Sequence, residues 1–313
     1  MMEPVNLRPP LVVLALLAAV ALPVVGSLGP AAAEPGARLG TGPGSSQGAA
    51  QRTYTTLERA CSISDKRLGA VSGMAVRADG TWVVNDRGAV LYRLRSDCSV
   101  VDAIDLAPQL KKLKVEVSDV EDLALGPDGW LWMSDSGGNR TPRDSVTLVG
   151  FKDAETPIRT VVLRYPGGTH DAEALMVDML GRAVVVTKVA GAPAEVYTSR
   201  LPLGAGVQNL RLVGTPRLAR PQGSGPRARL VTAGDVDPTG TYAVLRTYTD
   251  AWEFDAPDGN IAAALVSSAP RLVPLPQTKQ GEAIAYNLDG SELLTSGEGS
   301  PVNLDRVQIV SGR

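Results

Sequence analysis

The chain has 313 residues, enough for one large or two ordinary domains, and carries 31 Lys and Arg against 33 Asp and Glu. With no long run of one sign it lacks the electrostatic footprint of a nucleic-acid or anionic-membrane binder. A composition that is 44% hydrophobic but 4% aromatic, with 33 Gly and 23 Pro, favours many short strands between turns over long helices.

Residues 1–33 read as a secretory signal: Arg8, an apolar stretch from Leu11 to Val25, then small residues ending in Ala31-Ala32-Ala33. Pro23 and Gly26 interrupt the apolar run before it reaches the roughly 20 residues that span a bilayer, so cleavage is expected rather than a retained anchor. Residues 34–51 are Gly, Ala, Pro and Ser with almost no large apolar side chains, and are predicted to be a flexible leader. The remaining chain, 52–313, is predicted to be one domain, extracellular, monomeric and without a membrane span. Its two cysteines, Cys61 and Cys98, predict a disulfide in an oxidising exterior, worth about 3–4 kcal/mol on the loop-entropy model, with two separate thiols as the alternative.

From Ser72 onward one pattern recurs: an apolar strand, a Gly-centred turn and a second apolar strand. The copies are Ser72–Asp86, Glu121–Asp135, Glu173–Thr187, Thr232–Arg246 and Glu282–Ser296, with turn glycines Gly80, Gly129, Gly181, Gly240 and Gly290 separated by 49, 52, 59 and 50 residues. Further β-like runs such as Val90–Leu94, Val100–Leu106, Val146–Phe151 and Ile158–Tyr165 lie between copies, so each period holds about four strands, one propeller blade. No helical periodicity reaches a useful length. The expected fold is all-β, a five-bladed β-propeller, with a sixth blade hidden between Leu201 and Leu230 as the alternative. The final copy is short, and the leading run Tyr54–Ile63 is predicted to supply its missing strand and close the ring.

In such a blade, the residue eight before the turn glycine and the one six after it lie near the same channel end. These positions hold Ser72, Glu121, Glu173, Thr232 and Glu282, then Asp86, Asp135, Thr187, Arg246 and Ser296. Five of the ten are carboxylates, with Asp122, Asp171, Lys188 and Glu298 alongside. Acids packed so closely raise one another's pKa, so something must compensate. A hard cation would do so, most naturally Ca²⁺, with Glu121, Asp135, Glu173, Glu282 and Asp86 as ligands. An internal ion-pair network with Arg246, Lys188, Arg87 and Arg140 is a second solution. In a third, the acids accept backbone N–H groups and merely fix the ring. Arg246, Lys188, Asn139, Arg140, His170 and Tyr248 are the candidates for contacting a small polar molecule or a cell-envelope glycan. His170 is the sole histidine, which excludes an H-E-x-x-H zinc site; with no G-x-S-x-G elbow, a serine triad is not expected either.

The stretches Leu68-Gly-Ala-Val-Ser-Gly-Met, Asn85-Asp-Arg-Gly, Asp119-Val-Glu-Asp-Leu, Ser134-Asp-Ser-Gly-Gly-Asn-Arg, Tyr165-Pro-Gly-Gly-Thr-His-Asp-Ala-Glu-Ala and Gln280-Gly-Glu-Ala-Ile-Ala-Tyr resemble secreted bacterial β-propeller proteins, and more distantly the phytase-like and gluconolactonase/regucalcin-like groups. The resemblance implies a divalent ion held by Glu121, Asp135, Glu173 and Glu282. Three functional readings share these residues: an exported propeller binding Ca²⁺ and a small polar or glycan ligand, a metal-dependent hydrolase of lactones or phosphoesters, and a protein-interaction platform. The chain lacks the several His and Lys expected of a phosphatase channel.

Overall fold

The computed structural model describes residues 52–311 apart from 56, 139–140, 219–224, 279 and 300. The predicted signal and leader, and the candidates Asn139 and Arg140, lie outside the described residues. Among the described residues no helix is long and apolar enough to cross a membrane.

Two short strands come first, β1 (Arg52–Tyr54) and β2 (Glu58–Ile63). The first repeat folds as β3 (Val71–Arg77), β4 (Gly80–Asn85), β5 (Val90–Leu94) and β6 (Val100–Asp105), followed by helix α1 (Ala107–Leu113). The second comprises β7 (Val120–Leu125), β8 (Leu131–Asp135), β9 (Ser145–Phe151) and β10 (Arg159–Arg164). The third comprises β11 (Ala172–Val177), β12 (Ala183–Thr187), β13 (Val196–Ser199) and β14 (Gly206–Gly214). The fourth has β15 (Val231–Val236), β16 (Tyr242–Thr247), β17 (Ala251–Asp255), helix α2 (Ile261–Ser267) and β18 (Arg271–Val273). The last has β19 (Gly281–Tyr286), β20 (Glu292–Gly297) and β21 (Val302–Ser311).

Each repeat is an antiparallel meander, and the last is completed from the N-terminus: β2 pairs with β21 from Glu58↔Arg306 to Ile63↔Val302, and β1 pairs farther along the same strand. The predicted closing strand is therefore present. Four turn glycines sit at φ near +70° to +80° and Gly80 at +143°, backbone angles that explain why glycine recurs there. The inner strands touch in cyclic order, β3 to β7 to β11 to β15 to β19 and back to β3. Five apolar clusters fill the spaces between successive repeats. One packs Met74 and Val83 of the first repeat against Ala283, Ala285 and Leu304 of the last, so the hydrophobic core itself runs around the ring. This is the propeller-type all-β fold expected from the repeat. Between Leu201 and Leu230 the described residues form only β14 and a single 3₁₀ turn, Pro226–Arg229.

The disulfide joins Cys61 on the closing strand β2 to Cys98 beside the β5–β6 turn, across the seam where the ring shuts. Two features have no counterpart in the repeat pattern. The outer strands β10 and β14 pair in parallel, fusing the second and third repeats into one eight-stranded sheet. Each covers the other's open edge. The two seven-residue helices are the second. Helix α1 starts at a Pro and ends on left-handed Lys114, while α2 is capped by the Asn260 side chain accepting from Ala263 N at 3.3 Å. Neither is long enough to show a 3.6-residue period.

Candidate functional site

The pairing of each inner strand with its neighbour slips by one residue at the same place in every repeat. The slips fall between Val71 and Gly73, Val120 and Asp122, Ala172 and Ala174, Val231 and Ala233, and Gly281 and Ala283. The residue skipped is Ser72, Glu121, Glu173, Thr232 or Glu282. A β-bulge leaves its extra residue out of the ladder and re-aims the side chain. The positions expected from glycine counting are thus bulge positions, and all five are buried.

The five bulges serve two purposes. Ser72 Oγ donates to Val120 O at 2.9 Å, and Thr232 Oγ1 donates to Gly281 O at 2.9 Å, each tying its inner strand to the next. Glu121, Glu173 and Glu282 lie with Lys188 at the mouth. Lys188 Nζ donates to Glu173 Oε1 and lies 3.4 Å from Tyr248 Oη. Arg227 covers the Tyr248 ring, 4.1 Å from its centroid. Gln280 Nε2 donates to Glu282 Oε1 at 3.3 Å. Glu121 is 8% exposed, and its carboxyl has no hydrogen-bond or ion-pair partner among the described residues. It lies against Gly137, where a Cβ would meet Glu121 Oε1 at 2.1 Å, so only glycine leaves room for it.

Burial sets the charge state of these groups. It pushes the Glu121 carboxyl well above the ordinary range, and the nearby Glu173 and Asp119 push it further. Burial also raises Glu173, with Lys188 opposing. Lys188 loses hydration on burial, yet Glu173 outweighs that loss and holds it charged. Glu282 is pushed up to about 7, by burial first. Asp119, Asp171 and Glu298, around the rim, are raised by burial too. The mouth is therefore rich in carboxyls that burial pushes toward the neutral form, with one ammonium among them.

The remaining candidates fall into place separately. Asp135 Oδ1 accepts from Ser118 N at 3.1 Å and Asp119 N at 2.8 Å, while Oδ2 accepts from Arg143 Nη1 at 2.8 Å. Its carboxylate holds the loop that enters β7. Asp86 is one-third exposed, 3.9 Å from Arg87, and borders a cavity of about 680 Å³ with Asp119, Gly137 and Arg143. Arg246 is completely buried under Gly281 and donates Nη1 to Ala283 O at 3.2 Å. Its Nε and Nη2 find no partner among the described residues, and burial lowers it to about 10 against the pull of Glu282 and Asp305. Arg246 thus acts as a charge beneath Glu282. His170 packs between Tyr165 and Tyr197, at centroid distances of 4.4 and 5.2 Å, with Gly167 O 3.0 Å from Nε2 and Glu195 Oε2 3.4 Å from Nδ1. Its ring is occupied within that cluster.

Below the mouth, Asp122 closes the axis. Fully buried, it accepts from Leu123 N, Leu175 N and Gly234 N at 2.8, 2.9 and 3.2 Å, joining β7, β11 and β15. Asp235 does the same toward Tyr286 N at 2.8 Å. These two acids fill the scaffold role foreseen as the third reading. Sequence reasoning misses Asp119 and Arg143 as site residues, because Asp119 lies just before the repeat and Arg143 lies within a segment, 136–144, that no other repeat shares.

No family model and no curated protein matches the chain. Among solved structures, it is similar to a gluconolactonase from Xanthomonas campestris at 13% identity and TM-score 0.46, covering 77% of this chain and 72% of that one. A glutaminyl cyclase from Myxococcus xanthus is 12% identical with TM-score 0.47, covering 83% and 97%. A chain of a nidogen/laminin complex is 12% identical with TM-score 0.45, covering 72% of each. At this distance none of the three bears on activity.

Proposed function

We propose that the chain is an exported β-propeller that binds a small, neutral, hydroxyl-rich ligand, of the kind a cell-envelope glycan presents, at the glutamate-lined mouth. The observation that carries this reading is the grouping of three bulge glutamates, Glu121, Glu173 and Glu282, with Lys188 and Tyr248. Hydroxyl groups both donate and accept, and so do a neutral carboxyl, a carboxylate–ammonium pair and a phenol. An anionic ligand such as a phosphoester would have to compete with Glu173 for Lys188. The disulfide across the ring seam supports an oxidising compartment, and with it export.

Two of the five acids read as Ca²⁺ ligands, Asp135 and Glu173, are already engaged within the fold, which favours a ligand other than a cation. Asp135 is taken by Ser118, Asp119 and Arg143, Glu173 by Lys188, and among the described residues no group of three or more His, Cys, Asp or Glu is arranged to hold a metal ion. Titration calorimetry with a set of neutral oligosaccharides, run beside CaCl₂ and EDTA, tests the reading. Saccharide binding that is lost in Glu121→Ala and insensitive to EDTA is the expected result. A thermal shift with CaCl₂ in the absence of any saccharide binding would overturn it in favour of a cation site.

A further inference from the structure

We infer that the mouth cleaves glycosidic bonds of a neutral glycan, Glu121 giving a proton to the departing oxygen and Glu173 taking one from the attacking water; this rests on the binding reading above. The geometry separates the two carboxyls. Glu173 is paired with Lys188, while Glu121, more than nine-tenths buried, makes no hydrogen bond or salt bridge among the described residues and feels Lys188 only through space. Such a carboxyl keeps its proton at neutral pH until a ligand offers it an acceptor. An acid and a base with environments pushed apart are what two-carboxyl acetal hydrolysis requires.

The charge of the mouth selects the reaction class. Hydrolysis of an ester, lactone or phosphoester builds negative charge, which the Glu173 carboxylate would oppose, with Lys188 already committed to it. Cleavage of an acetal passes through an oxocarbenium-like state in which the sugar carbon becomes positive, and the Glu173 carboxylate beside it stabilises that charge. In the step itself the bond from the anomeric carbon to the leaving oxygen breaks as the Glu121 proton moves onto that oxygen. The water oxygen bonds to the same carbon while its proton passes to Glu173. Proton return from Glu173 to Glu121 through solvent completes the cycle, consuming one water per bond. Lys188 is a positioning residue: it fixes the Glu173 carboxyl and tunes when it can accept a proton.

The test uses the full chain with two probes of the same neutral sugars, oligosaccharides and 4-nitrophenyl glycosides. A nitrophenolate leaves without help, so loss of the acid should matter less for it. Glu121→Gln is expected to lower kcat at least about 100-fold on oligosaccharides and much less on the nitrophenyl glycosides, with calorimetric binding retained. Glu173→Gln should lower both, and Lys188→Met should displace the acid limb of the pH profile. Oligosaccharide binding without any turnover, or equal loss on the two probes in Glu121→Gln, overturns the inference and leaves the binding reading intact. Absence of binding to every saccharide overturns both.

Discussion

The two ends of the axis are built from the same repeat and are chemically opposite. At the glutamate end, the bulges deliver long acids to the mouth. At the other end the hairpin turns meet around a cavity of about 370 Å³ lined by Val76, Leu125, Val177, Met179, Pro238 and Leu288, with Met179 and Leu288 about half exposed. The acids there are short and already occupied. Asp178 Oδ1 accepts from Leu180 N and Arg182 N, and Asp237 Oδ1 accepts from Thr241 N and Tyr242 N. One methylene decides the outcome: Asp in a turn folds back onto nearby N–H groups, whereas Glu on a bulge projects into the mouth. Asp122 and Asp235, between the ends, behave like the turn acids but accept from neighbouring repeats.

This contrast orders the expected effects of removing each acid. Asp122→Ala leaves three buried N–H donors without an acceptor and should cost about 3 kcal/mol or more in urea unfolding; a loss below about 1 kcal/mol would mean the axis is not sealed there. Glu282 has a folded-state pKa raised above the unfolded value, so the folded state holds a proton that the unfolded chain releases. Stability is then highest below pH 4.5 for this group and falls as pH climbs toward 7. That decline, about 3 kcal/mol, should be largely absent from Glu282→Gln in denaturation curves taken at several pH values. Asp178→Ala removes the acceptor of two turn amides and should cost about 1–2 kcal/mol with saccharide binding unchanged. Glu121→Gln replaces a neutral carboxyl with an amide of the same shape, and its unfolding midpoint at pH 7 should move by less than about 1 kcal/mol.

The parts of this division that could be read from sequence are those that depend on counting. Five turn glycines at near-equal spacing announce the repeat, and measuring back from each one finds Ser72, Glu121, Glu173, Thr232 and Glu282. The orphan run ending at Ile63 and the Cys61–Cys98 pair announce the closure. Counting cannot show a bulge, because one skipped residue leaves the spacing to the glycine unchanged while altering where the side chain points. For that reason Glu121 and Asp122, adjacent acids in one motif, could not be assigned their different jobs. Asp135 seemed a mouth ligand because its captor, Arg143, lies in a stretch unique to the second repeat. The parallel β10–β14 pairing depends on where two outer edges meet in space, which no local pattern encodes.

Bulge geometry brings buried acids together with too few cations to ionise them all. Carbon-13 NMR of the glutamate side-chain carboxyls, with Glu121→Gln to assign the resonance, measures this directly. The account requires Glu121 to remain protonated at pH 7, with its resonance shifting when Glu173 is replaced by Gln. A Glu121 carboxyl that titrates in the ordinary range near 4.5 and ignores that replacement would show that the glutamates do not share one mouth.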